Sequence, residues 1–134
     1  MQVIKSDIVP IRSESDIVQA RQIVRKWATD QSFPIVDQTK VITAASELAR
    51  NTLVYGKGGT MRLEALIDGL RKGLRLTFED QGPGIADLTQ ALTDGYTTGN
   101  GLGLGLSGAK RLSNEFQIDS TPGKGTRVMI ARWR

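Results

Sequence analysis

The chain contains neither cysteine nor histidine. The first absence excludes disulfides and thiolate metal centres and suits a reducing compartment. The second removes Ser-His-Asp hydrolysis, His-ligated zinc and phosphorylation of the protein's own imidazole. Long apolar runs are missing too. Nothing approaches the length of a membrane span, and the first residues, MQVIKSDIVPIRSESD, lack the apolar block of a secretory signal. A soluble, cytoplasmic protein with no membrane partner is expected. There is no basic stripe: the formal net charge is +4, with 18 Lys and Arg dispersed among 14 acids, which argues against a nucleic-acid partner. What remains is 134 residues at 39% hydrophobic content, enough for a single domain, 1–134, with a core of its own.

The coarse pattern is mixed. VIKSDIVPI (3–11) reads as a strand that Pro10 confines to a sheet edge. Ser13 and Asp16 offer a helix start, followed by Ile17, Ala20, Ile23, Val24 and Trp27 at helical spacing, so that Trp27 is a core residue. Pro34 and Asp37 open a second helix that carries Val41, Ala45, Leu48 and Thr52 on one face and ends at YGKGG. Met61, Leu63, Ala65 and Ile67 alternate with polar residues, DGLRKG turns the chain, and LRLTFED returns as the next strand. A weak helix from Asp87 to Leu92, a helix from Leu106 to near Glu115, and a last hairpin of FQIDS and TRVMIARW around TPGKG complete the reading. The sum is a mixed, mainly antiparallel sheet with helices on one face.

Against this frame of ordinary elements, TTGNGLGLGLSGAKRL is anomalous. Gly99, Gly101, Gly103, Gly105 and Gly108 fall in one short loop. Glycine loses more backbone freedom on folding than any other residue, so such a cluster implies that something must approach the main chain. GLGLSG satisfies G-x-G-x-x-G, yet TDGYTTGN before it is turn-like and not the strand a dinucleotide fold needs. Neither Gly56-Lys57 nor Gly123-Lys124 is followed by the Ser or Thr of a Walker A loop, and the catalytic loop of eukaryotic-type kinases is missing.

Two further stretches carry chemistry. ELARN places Glu47 and Asn51 one helical turn apart on one face, where a carboxylate and an amide oxygen suit a base beside a hydroxyl and a hard ligand for Mg²⁺. An ordinary solvated helix face is the competing reading. EDQGPGI ends a strand at Asp80 and breaks into a turn with Gly82 and Gly84: the carboxylate can accept from an exocyclic amine, and the glycines can admit a flat ring. A simple glycine turn explains the same residues.

ELARN, DQGPG, GLGLGL and GKGT, in this order from Glu47 to Thr126, resemble the N, G1, G2 and G3 boxes of the GHKL ATPases and kinases. DQTKVITAASELARN, YGKGG, EDQGPGI and GAKRLSNEF are similar within that superfamily to the RsbT-type switch kinases of the stressosome. The resemblance implies an α/β two-layer sandwich, the Bergerat fold, and ATP and Mg²⁺ as cofactors. It implies Glu47 as general base, Asn51 as the Mg²⁺ ligand and Asp80 as the acceptor for the adenine amino group. Gly82 and Gly84 would shape the pocket, Gly101, Gly103 and Gly105 would form a lid over the phosphates, and Thr126 would support Asp80 or a pocket water. Loop amides at a helix entry suit anions on physical grounds as well. The activity implied is ATP-dependent serine/threonine phosphorylation of STAS-domain proteins, RsbS- and RsbR-like, together with activation of an RsbU-type phosphatase. A direct anti-sigma factor kinase of the RsbW or SpoIIAB type is the alternative.

Overall fold

The computed structural model describes residues 1–85, 92 and 106–134. Strand β1 (Gln2–Ile11) leads into helix α1 (Glu14–Asp30) through a reciprocal cap. The Ser13 hydroxyl accepts from the Asp16 N–H at 3.3 Å, and the Asp16 carboxylate accepts from the Arg12 N–H at 2.9 Å. A first-turn donor of the helix and the N–H of the residue just before the cap are thereby paired. The expected apolar face is buried, Trp27 included at 3% exposure. Helix α2 (Ile35–Val54) follows Pro34, and Val41, Ala45, Leu48 and Thr52 all face the core as their spacing predicts.

Strands β2 (Gly59–Asp68) and β3 (Arg71–Asp80) form a hairpin closed by Gly69 and Leu70 alone. Gly69 takes φ of 64°, which a tight hairpin turn requires, so Arg71 to Gly73 join the strand and leave the longer DGLRKG turn expected from sequence. Helix α3 (Leu106–Arg111) is shorter than its pattern, because the Asn114 N–H is already bonded to the Ala131 carbonyl and the chain has entered the sheet. Strands β4 (Glu115–Ser120) and β5 (Thr126–Trp133) make the last hairpin. The short helix expected from Asp87 lies outside the described residues apart from Leu92.

The sheet order is β1-β2-β3-β5-β4, and every pairing among the described strands is antiparallel. β1 is an edge strand, as Pro10 requires. Helices α1 and α2 cover one face, and their apolar residues meet Leu63, Leu76, Phe78 and Ile130 from the strands in one core. This is the two-layer α/β sandwich. Its functional consequence is local: the C-terminal end of α2 stands over the ends of β3 and β5, where the DQGPG turn leaves the sheet.

Candidate functional site

A row of paired residues crosses that end of the sheet: Gly59 opposite Asp80, Asp80 opposite Thr126, and Thr126 opposite Ser120. Above the row lies a cavity. Its roof is Leu48, Asn51, Thr52, Tyr55 and Gly56 from α2 and its end, its floor is Phe78, Asp80, Thr126 and Val128, and Pro83, Gly84, Ile85 and Leu106 close the side. An apolar wall with a few converging polar groups is the usual character of a small-molecule pocket.

Asp80 is the polar centre. One carboxylate oxygen accepts from the Gly82 N–H at 2.9 Å, and the backbone of Thr126, opposite Asp80 in the sheet, also favours the ionised carboxylate. Burial pushes its pKa above the ordinary aspartate value, and those two backbone interactions pull the other way without cancelling the shift. Glycines make the arrangement possible. A Cβ on Gly82 would lie 2.7 Å from the Gly56 Cα, and one on Gly84, at φ of 77°, would run into the Thr121 carbonyl. The turn is also stapled to the last hairpin by Gly123 N–H to the Pro83 carbonyl at 2.7 Å and Ile85 N–H to the Ser120 hydroxyl at 2.7 Å. DQGPG and GKGT are therefore one structural unit, although the sequence separates them.

Asn51 faces the cavity one turn after Glu47, and its Nδ2 is buried with no partner among the described residues. An amide that keeps its hydrogen-bonding capacity unspent in a pocket fits a ligand, and a half-turn of its plane presents the oxygen instead. No group of three or more His, Cys, Asp or Glu that could hold a metal occurs among the described residues. A Mg²⁺ here fits only as a cation bound by one amide oxygen, phosphates and water, a mode this ion commonly adopts. Glu47 is exposed on α2 and does not line the cavity. Beside it Arg50 makes a two-pronged ion pair with Glu14 at 3.0 and 3.2 Å, which raises the Arg50 pKa.

The structure thus gathers Asn51, Asp80, Gly84 and Thr126 around one cavity. It places Gly82 just behind Asp80, on an adjoining cleft with Arg12 and Lys57, and leaves Glu47 a turn away. Gly101, Gly103 and Gly105 lie outside the described residues. Sequence reasoning passed over Tyr55, Ile85 and Ser120. The position of Ser120 was accessible from hairpin register, since a five-residue TPGKG loop sets it opposite Thr126.

Residues 36–134 match the histidine kinase-, DNA gyrase B-, and HSP90-like ATPases. The chain belongs to this ATPase family. Among curated proteins similar to it, the serine/threonine-protein kinase RsbT of Bacillus subtilis (strain 168) is 46% identical over 125 residues, spanning 93% of this chain and 94% of that one. The anti-sigma F factor of Clostridium novyi (strain NT) is 32% identical over 120 residues, spanning 84% and 82%. Among solved structures, the RsbU and RsbW domains of Rv1364c from Mycobacterium tuberculosis superpose with TM-score 0.65 at 18% identity, covering 97% of this chain and 33% of that one. The SiaB–SiaC complex from Pseudomonas aeruginosa gives TM-score 0.60 at 15% identity, covering 98% and 91%. These two likenesses establish the fold. The higher identity to RsbT than to the anti-sigma F factor favours the RsbT-type kinase over the anti-sigma alternative, and this HATPase-family chain is an ATP-dependent serine/threonine kinase by that relationship.

Proposed function

We propose that the cavity binds the adenine end of ATP and that the chain transfers the γ-phosphoryl group to STAS-domain partners, RsbS- and RsbR-like, in a cytoplasmic stress-signalling switch. Residues 1–134 act in this reading as one kinase domain. The observation that carries it is the half-buried Asp80 carboxylate, held by the Gly82 N–H at a pocket whose apolar walls suit a flat base. Asp80 accepts from the adenine amino group, Thr126 supports the same edge, and Gly82 and Gly84 allow the turn to close on the pocket. Asn51 holds Mg²⁺, which supplies positive charge to the phosphates when bound. Amides of the Gly101, Gly103 and Gly105 segment meet the phosphates.

Little covalent chemistry is asked of the protein. Glu47, on the exposed side of α2, takes the proton of the partner's hydroxyl as its oxygen bonds to the γ-phosphorus and the bond to ADP breaks. Exposure suits this role, because a protein substrate must reach the base. An RsbU-type phosphatase is the second partner, activated by surface contact and not by transfer. The M. tuberculosis neighbour, whose structure contains RsbU and RsbW domains, supports this pairing of functions.

The test is incubation with γ-labelled ATP and purified STAS domains, followed by phosphoamino-acid analysis, with sigma factors as the competing partner in pull-downs. Label on serine or threonine of a STAS domain is expected. Recovery of a sigma factor with no labelled STAS domain would return the protein to the anti-sigma reading.

A further inference from the structure

Ser120 lies at the end of the cross-sheet row and is the hub of three short contacts. Its Oγ is 2.7 Å from the Ile85 nitrogen, 2.8 Å from the Thr126 Oγ1 and 3.2 Å from the Gly125 carbonyl. A serine hydroxyl has one proton and two lone pairs. The Ile85 N–H can only donate, so it occupies one lone pair. The Gly125 carbonyl can only accept. It takes a Thr121 N–H at 3.4 Å and has a lone pair left, which among the described residues the Ser120 proton meets. One assignment satisfies all three contacts: Ile85 N–H to Ser120, Ser120 O–H to Gly125, and Thr126 O–H to Ser120. The Thr126 hydroxyl proton is then committed away from the ligand, and only oxygen lone pairs of Thr126 remain for whatever enters the cavity that it lines beside Asp80.

We infer that Ser120 is a specificity-determining positioning residue. By fixing the direction of the Thr126 hydroxyl it makes Thr126 and Asp80 a pair of acceptors, which favours a base carrying an exocyclic amine and rejects one carrying a carbonyl at the same place. This rests on the reading of the cavity as the adenine site. Ser120 itself need not touch the nucleotide; it acts through Thr126. It also holds Ile85, directly after the DQGPG turn, so one hydroxyl ties the purine-reading residues to the end of that turn.

The consequence has a sign that general loosening does not share. Without the Ser120 hydroxyl, the Thr126 O–H is free to turn toward the cavity and donate to a carbonyl. ATP and inosine triphosphate differ at position 6 by amine against carbonyl, and at N1 by a bare nitrogen against an N–H, and it is the position-6 group that the Thr126 hydroxyl is argued to read. Titration calorimetry of both nucleotides into the full chain and into Ser120→Ala is the test. The ratio of ATP to inosine triphosphate affinity is expected to fall about fivefold or more, the low end of a donor-acceptor mismatch, while Ser120→Thr, which restores a hydroxyl, keeps the parent ratio. Ser120→Cys, close to serine in size, gives the same expected fall if the alanine variant folds poorly. Equal weakening of both nucleotides, or an unchanged ratio, would overturn the inference. Asp80→Asn run alongside separates the two levels: if it lowers ATP affinity while Ser120→Ala leaves the ratio intact, only the Ser120 role fails, whereas unchanged ATP affinity in Asp80→Asn removes the adenine site and the inference with it.

Discussion

Gly56 and Asp80 pack so closely that the missing side chain of one makes room for the carboxyl of the other. A Cβ on Gly56 would overlap the Asp80 Cβ, Cγ and Oδ2. Gly56→Ala must therefore displace the carboxyl, because the alternative is to move the end of α2 against β3. Overpacking of this kind costs about 1–3 kcal/mol in stability. ATP affinity is expected to fall about tenfold or more, beyond what that cost explains at a temperature where the variant is folded, since one misplaced acceptor of a buried pair costs about 1–3 kcal/mol in binding. Calorimetry with a parallel melting curve checks this, and parent-like affinity in the alanine variant would detach Asp80 from the ligand.

In the proposed reading Glu47 and Asn51 divide the work of one helix face. Glu47→Gln keeps shape and helix propensity but removes the base, so phosphoryl transfer should fall by about 10² or more while ATP binding persists. Rates of STAS phosphorylation at saturating ATP, set beside the binding isotherm, decide it. Equal rates in variant and parent would sink the role of Glu47.

Acidic pH should act on Asp80 and Glu64 with opposite signs. Burial raises the Asp80 pKa, so the ionised carboxylate costs folding stability above its folded pKa, and that cost disappears as pH falls through it. Binding follows the other direction: the acceptor is lost on protonation, so ATP affinity should begin to decline at a pH above the ordinary aspartate value of 3.8. Glu64 is held below its usual value first by its hydrogen bond from Arg75, at 2.8 Å, so its stabilisation is present above the normal glutamate range and lost as pH falls through the lowered pKa. Melting curves from neutral to acid should show Glu64→Gln reducing the parent's acid sensitivity and Asp80→Asn increasing it, since the relief of the Asp80 charge cost on acidification is then absent. An ATP affinity independent of pH down to the unshifted range would contradict the Asp80 assignment.

The Asp37–Arg132 pair joins the start of α2 to β5 at 2.6 Å, with both side chains largely buried, and Arg132 also donates to the Leu112 carbonyl at 3.1 Å. The Arg132 Nε is already buried without a partner among the described residues. Removing Asp37 leaves a guanidinium with still fewer acceptors, so Asp37→Ala should cost about 2–3 kcal/mol, read as a lower urea midpoint at unchanged slope. A loss under about 0.5 kcal/mol would place the pair with ordinary surface ion pairs.

The helices and strands were legible because periodicity, caps and turns agreed with one another: Ser13 capped where expected, Pro10 fell on an edge, and Trp27 was buried. Lys110, Lys124 and Arg127 are exposed, as ordinary surface charges should be. The end of α3 was not legible, because a sheet bond from Asn114 to Ala131 overrides the helical pattern from outside the segment. The site was half legible. Asp80 and Thr126 carried recognisable neighbours, but the staple between the DQGPG turn and the last hairpin depends on contacts thirty-five positions apart, such as Ile85 to Ser120, which no local pattern encodes. Gly82 and Gly84 looked like room for a ring; their immediate need comes from Gly56 and Thr121.

The central claim is that Asp80 reads the base of ATP, and titration of ATP into the parent and Asp80→Asn tests it most directly. Asparagine presents a donor and an acceptor where the carboxylate presents acceptors only, so affinity should drop about 5- to 150-fold, the equivalent of about 1–3 kcal/mol. The variant should stay folded, since the amide oxygen still accepts from Gly82 and the cost of a half-buried charge is gone. A folded Asp80→Asn protein that binds ATP as tightly as the parent would show that Asp80 is only a turn residue.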